Sequence, residues 1–248
     1  MKLYNKYCRP FLRASILKTI WFNWKMLPAC QAWKLPIYLY GKTKFRKLTG
    51  NIIINGNISP GMIKIGKNDW YVDTSIQLCI WTIKGTIVFN GPISFGHGSY
   101  VLVSDNATLS FGTNTNYLGS NLKIMCFEKI SFGNNVRITW DCQFYDTSFH
   151  YIESVNQNEK INPLTKPIII GDRIWIGNRT TVSKGTIIPN DTIIASNSLV
   201  NKDFSNIEPY CLLAGCPATV KRKGVKRIFD KEKERKLDKE FNYFRTHL

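Results

Sequence analysis

At 248 residues, with 44% hydrophobic and 13% aromatic content, the chain is long enough to bury a sizeable core, which excludes disorder as its main state. The formal charge of +17 sits at the ends: residues 1–48 hold eleven Lys or Arg and no acid, residues 221–248 eleven bases against five acids, and residues 49–220 twelve of each. A neutral body argues against nucleic acid as the partner, and seven scattered cysteines without a C-x-x-C pair argue against a disulfide framework or a zinc site. No secretory signal is apparent and no run of eighteen apolar residues occurs, so a cytoplasmic protein is expected, with no metal.

Residues 1–48 combine Trp21, Phe22, Trp24, Trp33, Tyr38 and Tyr40 with the eleven positive charges. Such a segment suits the surface of an anionic membrane, where basic side chains meet lipid headgroups and aromatic rings sit at the interface. It equally suits a cap that packs its aromatics over the open end of a repeat structure. Both readings stand at this stage.

From residue 49 an apolar side chain returns every six residues. Ile65, Tyr71, Gln77, Ile83, Phe89, Phe95, Val101 and Ala107 form one run with a single polar exception. Phe132, Ile138, Phe144 and His150 form a second, and Ile170, Ile176, Val182, Ile188, Ile194 and Val200 a third. Six is neither the period of an amphipathic helix nor that of a half-buried strand. Gly, Asn, Asp and Ser between the apolar positions ("FGNNV", "IGNRT", "IPNDT", "IASNS") tolerate tight corners. A chain that bends every six residues closes after three bends, so the spacing predicts an all-β parallel β-helix over 49–220, with about eighteen residues per coil and about eight or nine coils.

The beat breaks at 151–167, "YIESVNQNEKINPLTKP", which reads as a loop thrown out of a coil. The loop follows "WDCQFYDTSFH", ending in His150. A neutral imidazole titrates in the range of a general base, though a lone histidine is as readily a solvent-facing or core residue. Asp146, four residues earlier, either orients that imidazole or caps a tight corner. Trp140 and Asp141 are candidates for lining an acceptor pocket, since aromatic faces suit sugar rings; core packing is the alternative for the tryptophan.

The stretch "IGDRIWIGNRTTVSKGTIIPNDTIIASNSLVNKD", followed by "AGCPATV", resembles the left-handed β-helix acyltransferases of the hexapeptide-repeat family. The likeness is to the branch containing galactoside and maltose O-acetyltransferases and the O-acetyltransferases of surface-glycan synthesis. It covers roughly residues 50–222 and is most specific over 168–222. It implies a left-handed parallel β-helix, a homotrimer and acetyl-CoA as co-substrate, held in a groove between neighbouring columns. It also implies His150 as the catalytic base and Asn121 near the acceptor and thioester. Trp175 and Asn178 of the "IWIG" region, Ser196, Asn201, Lys202 and Arg222 match positions that contact the coenzyme. Thr219, Ser196, Asn201 and Pro189 depart from the family's usual residues.

The final segment, 221–248, spaces Ile228, Leu237, Phe241, Phe244 and Leu248 as one face of an amphipathic helix. The sequence reading is therefore an acetyl-CoA-dependent O-acetyltransferase acting on a sugar or glycan precursor, cytoplasmic, with residues 1–48 as either a membrane-docking segment or a cap. N-acetylation of an amino sugar and a catalytically silent scaffold are the alternatives.

Overall fold

The computed structural model describes residues 11, 14–67, 77–114, 117–155 and 161–241; Tyr71, Phe244, His247 and Leu248 lie outside them. The described residues form three sheets of nine, seven and six strands, and the chain visits the three in turn, coil after coil. Pairing between coils is parallel throughout, from Ile37–Leu39 in the first coil to Leu212–Gly215. The closing strand Ala218–Arg222 folds back antiparallel on Leu212–Gly215 and ends the first sheet.

The six-residue beat becomes three vertical stacks inside the prism. In the third sheet, Ile54, Phe89, Phe111, Phe132, Ile170 and Ile188 lie in register. Phe111 is stacked between Phe89, at 5.5 Å, and Phe132, at 5.2 Å, with nearly parallel rings. In the second sheet the stack runs Trp81, Val101, Ile124, Phe144, Val182 and Val200. Burial of one such side chain per strand supplies the cohesion that no single coil has alone. Gln77 and His150 keep the spacing but are exposed, so each is a place where the beat leaves the core.

Corners are made by residues in left-handed conformation. Gly98, Asn121, Asp141, Arg179 and Asn197 stack along the edge between the first and second sheets, with φ of 57–69°. Four backbone N–H donors tie this edge coil to coil: Asn121 to His97 O, Asp141 to Ser120 O, Arg179 to Trp140 O and Asn197 to Asn178 O. Asparagine, aspartate and glycine carry little penalty at such φ values; Arg179 is the costlier choice. The opposite edge adds a side-chain ladder, in which Asn134, Asp172 and Asn190 accept from the backbone N–H of Thr113, Asn134 and Asp172.

The column begins at Ile37, ahead of the boundary that charge suggested at residue 49. Strand Thr43–Leu48 carries its bases on exposed positions and buries Thr43, so its composition resembles a tail while its backbone pairs with Cys79–Ile83. Helix Ile16–Met26 covers the open strand edge. Its buried Asn23 donates to Ile37 O and accepts from Ile37 N, and Thr19 Oγ1 accepts from Leu39 N. These bonds satisfy backbone groups that the first coil leaves without a neighbouring strand.

At the other end, the helix is shorter than the 221–248 expectation. It spans Lys231–Glu240, and Asp230 caps it by accepting from Glu232 N and Lys233 N. None of its residues is buried and Phe241 is exposed, so the apolar face read from the sequence is not packed into the column among the described residues. Arg222 belongs to the closing strand.

Candidate active site

Strand Gln143–Tyr145 crosses the second sheet and joins the two parts of the site. At its start lies the corner formed by Trp140 and Asp141; beyond its end the chain leaves the coil through Asp146 and reaches His150. A polar depression of about 520 Å³ opens at the corner, lined by Gln77, Asn121, Lys123, Asp141, Gln143 and Arg179 among others. Asn121 Nδ2 donates to Asp141 Oδ1 at 3.0 Å, and Arg179 Nε lies 4.0 Å from Asp141 Oδ2. Asn121 and Asp141 thus come together in one depression. Trp140 is half-buried, and its carbonyl accepts from Arg179 N.

His150 is exposed, and its ring has no hydrogen-bond partner among the described residues. The arm that carries it is nevertheless anchored. Thr147 bridges Thr165 antiparallel, Ser148 N donates to Leu164 O, and Lys166 N donates to Asp146 O. Lys184 Nζ clamps the base of the arm by donating to Ser148 Oγ at 3.0 Å, Pro163 O at 2.6 Å and Leu164 O at 3.2 Å. Phe149, with φ of 60°, packs edge-on against Phe127 and Tyr145. Tyr145 in turn donates to Gln143, which lines the polar depression. The outer face of the second sheet is therefore a continuous path from the Asn121–Asp141 corner to the histidine arm.

Asp146 is not an imidazole partner. Its fully buried carboxylate accepts three backbone N–H groups, from Phe127 at 2.7 Å and from Glu128 and Lys129 at 2.8 Å each. Burial pushes this carboxyl above its ordinary range while the three amide donors pull the other way. The residue clasps the corner of the coil beneath the arm.

The positions expected to hold the coenzyme divide between two edges. Asn178 and Ser196 adjoin at the corner edge, Ser196 Oγ donating to Asn178 Oδ1 at 2.6 Å. Trp175 is half-exposed on the outer face of the first sheet. Asn201 and Lys202 are exposed on the opposite side of the second sheet, where the Lys202 ammonium lies over the Phe204 ring. Arg222 is exposed on the closing strand. One column does not gather these residues into one groove. Sequence reasoning missed Lys123, Gln143 and Arg179, which line the depression from outward strand and corner positions where no periodicity marks them, Gln77, which the spacing marked only as a polar exception, and Lys184, whose role depends on a loop folding back onto it.

Among the described residues, no cluster of His, Cys, Asp or Glu has the arrangement of a metal site. Cys126 and Cys142 are buried, which pushes both thiols up, Cys142 to about 11, so neither offers a thiolate near neutral pH.

A curated relative, described as an uncharacterized 24.8 kDa protein in the cps region of Klebsiella pneumoniae, is 32% identical over 213 residues, covering 86% of this chain and 90% of the relative. The chain belongs to that protein's family. No family model matches. Among solved structures, the polySia-specific acetyltransferase NeuO aligns with a TM-score of 0.60 and 17% identity, covering 85% of this chain and 86% of that one. The polysialic acid O-acetyltransferase OatWY aligns at 0.54 and 19%, covering 82% and 99%. The fold is accordingly the left-handed parallel β-helix of hexapeptide-repeat acetyltransferases.

Proposed function

We propose that the chain is an acyl-CoA-dependent O-acyltransferase, with acetyl as the transferred group, acting on a hydroxyl of a sugar or glycan precursor in cell-surface polysaccharide biosynthesis. The observation that carries this reading is His150, exposed and unpartnered on an arm that Lys184 anchors beside the outer face of the second sheet. A ring held in place but left free is suited to accept a proton from a substrate rather than to brace the fold. The acceptor hydroxyl attacks the thioester carbonyl as the His150 imidazole takes its proton. The C–O bond forms, the C–S bond breaks, and the imidazolium returns the proton to the departing thiolate. The buried, protonated Cys126 and Cys142 favour this direct attack over an acyl-cysteine intermediate.

The depression at the Asn121–Asp141 corner is the acceptor subsite. Its amides suit a polyhydroxylated ring, and Lys123 with Arg179 outweighs Asp141 in charge, which suits a sugar that bears an acid group. Asn178 and Ser196 on one edge and Asn201 and Lys202 on the other become one coenzyme groove when the corner edge of one copy meets the arm side of the next, so the active form is a homotrimer. Acetyl-CoA as donor assigns the reaction to the cytoplasm. The relative in a cps region and the sialic-acid-polymer acetyltransferases that share the fold support a glycan acceptor.

Transfer of labelled acetyl from acetyl-CoA to a panel of acidic and neutral oligosaccharides and nucleotide sugars tests the reading. An alkali-labile ester on the sugar is the expected product. An alkali-stable amide would move the assignment to an amino group, and no transfer to any acceptor, with no coenzyme binding, would leave a scaffold.

A further inference from the structure

Helix Ile16–Met26 buries one face on the column and exposes a second, apolar one. Thr19, Phe22, Asn23 and Met26 point inward and are buried, with Phe22 stacked on Phe45 at 4.3 Å. The outward face carries Leu17, 84% exposed, Ile20, Trp21, 49% exposed, and Trp24, 53% exposed, which return at the three- and four-residue steps of one helical stripe. Trp33 is 79% exposed just beyond the helix. A shallow depression of about 440 Å³, lined by Phe11, Leu35, Tyr38, Ile58 and Pro60 together with Trp33, opens at the same end of the column. A water-facing helix normally has one apolar stripe, because the second loses hydrophobic free energy by staying wet.

We infer that this end of the column docks on the surface of an anionic phospholipid bilayer, with Trp21, Trp24 and Leu17 inserted at headgroup depth. Charge decides the occupant. Lys18 and Lys25 on the helix, Lys34 beside Trp33, and Lys42 and Lys44 at the start of the first coil are all exposed, and residues 1–48 contain no acid to neutralise them. A second copy meeting this one through the same face would bring two strongly positive surfaces together, whereas an anionic leaflet neutralises them. Tryptophan rings suit the boundary between headgroups and acyl chains, and lysine stems reach past them to the phosphates. Among the described residues no helix is long and apolar enough to cross a membrane, so the contact is peripheral. Coils rise by about 4.8 Å each, so the coil that carries His150, four steps along, stands on the order of 20 Å from the docked end. The inference goes beyond the acyltransferase reading and does not depend on it.

Flotation of the full-length protein with vesicles of equal parts phosphatidylglycerol and phosphatidylcholine, against phosphatidylcholine alone, tests it. Binding to the anionic vesicles is expected to be stronger by about tenfold or more and to weaken with added salt. Combined Trp21→Gln and Trp24→Gln substitution should lower it about tenfold while the circular dichroism spectrum stays unchanged. Equal flotation on both vesicle types, or a variant that binds as well as the wild type, overturns the inference. So does self-association of the wild type that the two substitutions abolish, which would assign the patch to a second copy. Quenching of wild-type tryptophan fluorescence by brominated phosphatidylglycerol is the check that needs no variant, and its absence also overturns the inference.

Discussion

Asp146 and His150 sit four residues apart, and spacing alone allows the carboxylate either to orient the imidazole or to hold the backbone. The structure assigns the second role, because both carboxylate oxygens are occupied by the N–H groups of Phe127, Glu128 and Lys129. Removing the buried carboxylate leaves three partly buried amide donors without their acceptor, each lost bond costing about 1 kcal/mol or more. Asp146→Ala should therefore lower stability by about 3 kcal/mol or more, read from a denaturant or thermal melt. Loss of activity with an unchanged melt would return Asp146 to a role at the imidazole. A second test at this scale uses the thiols. Below about pH 11 the Cys142 thiol stays protonated and buried, so iodoacetamide applied to the native protein at pH 8 should modify Cys30 and Cys216 and spare Cys126 and Cys142. Mass spectrometry of the peptides would show which thiols react.

In the coils, what the sequence displayed was the interior. Each inward position of a short strand is a large apolar residue, so Phe111, Phe132 and Ile170 keep a rhythm that survives insertions between them. Phe111→Ala should cost about 3–5 kcal/mol, because it opens a cavity between two stacked rings, while Phe111→Leu should cost far less. Equal losses for both would mean that the stack does not carry the load argued here. Outward positions follow no rhythm, since solvent, a ligand or a neighbouring copy can satisfy them. That is why Lys123, Gln143 and Arg179 were invisible as site residues, and why strand Thr43–Leu48, basic on its outer side, passed for a tail. The break in rhythm drew notice to His150, and the family resemblance proposed its role as base, as it proposed a place near the acceptor for Asn121.

For the molecule as a whole, the candidate residues lie on both sides of the second sheet, and a single column leaves them apart. In the proposed homotrimer, three columns related by a threefold axis would close the groove and present three basic, tryptophan-bearing ends side by side, which would strengthen membrane attachment through multivalency. Sedimentation equilibrium should give three times the protomer mass, and a stable monomer with full activity would refute the shared groove. The acyltransferase account rests most directly on His150. Its test is the rate of thiol release from acetyl-CoA in the presence of an acceptor, compared between wild type and His150→Ala, with coenzyme affinity measured alongside. The account predicts a fall of about a hundredfold or more in turnover with coenzyme affinity unchanged, the share that a general base contributes. A variant that turns over at the wild-type rate would contradict it.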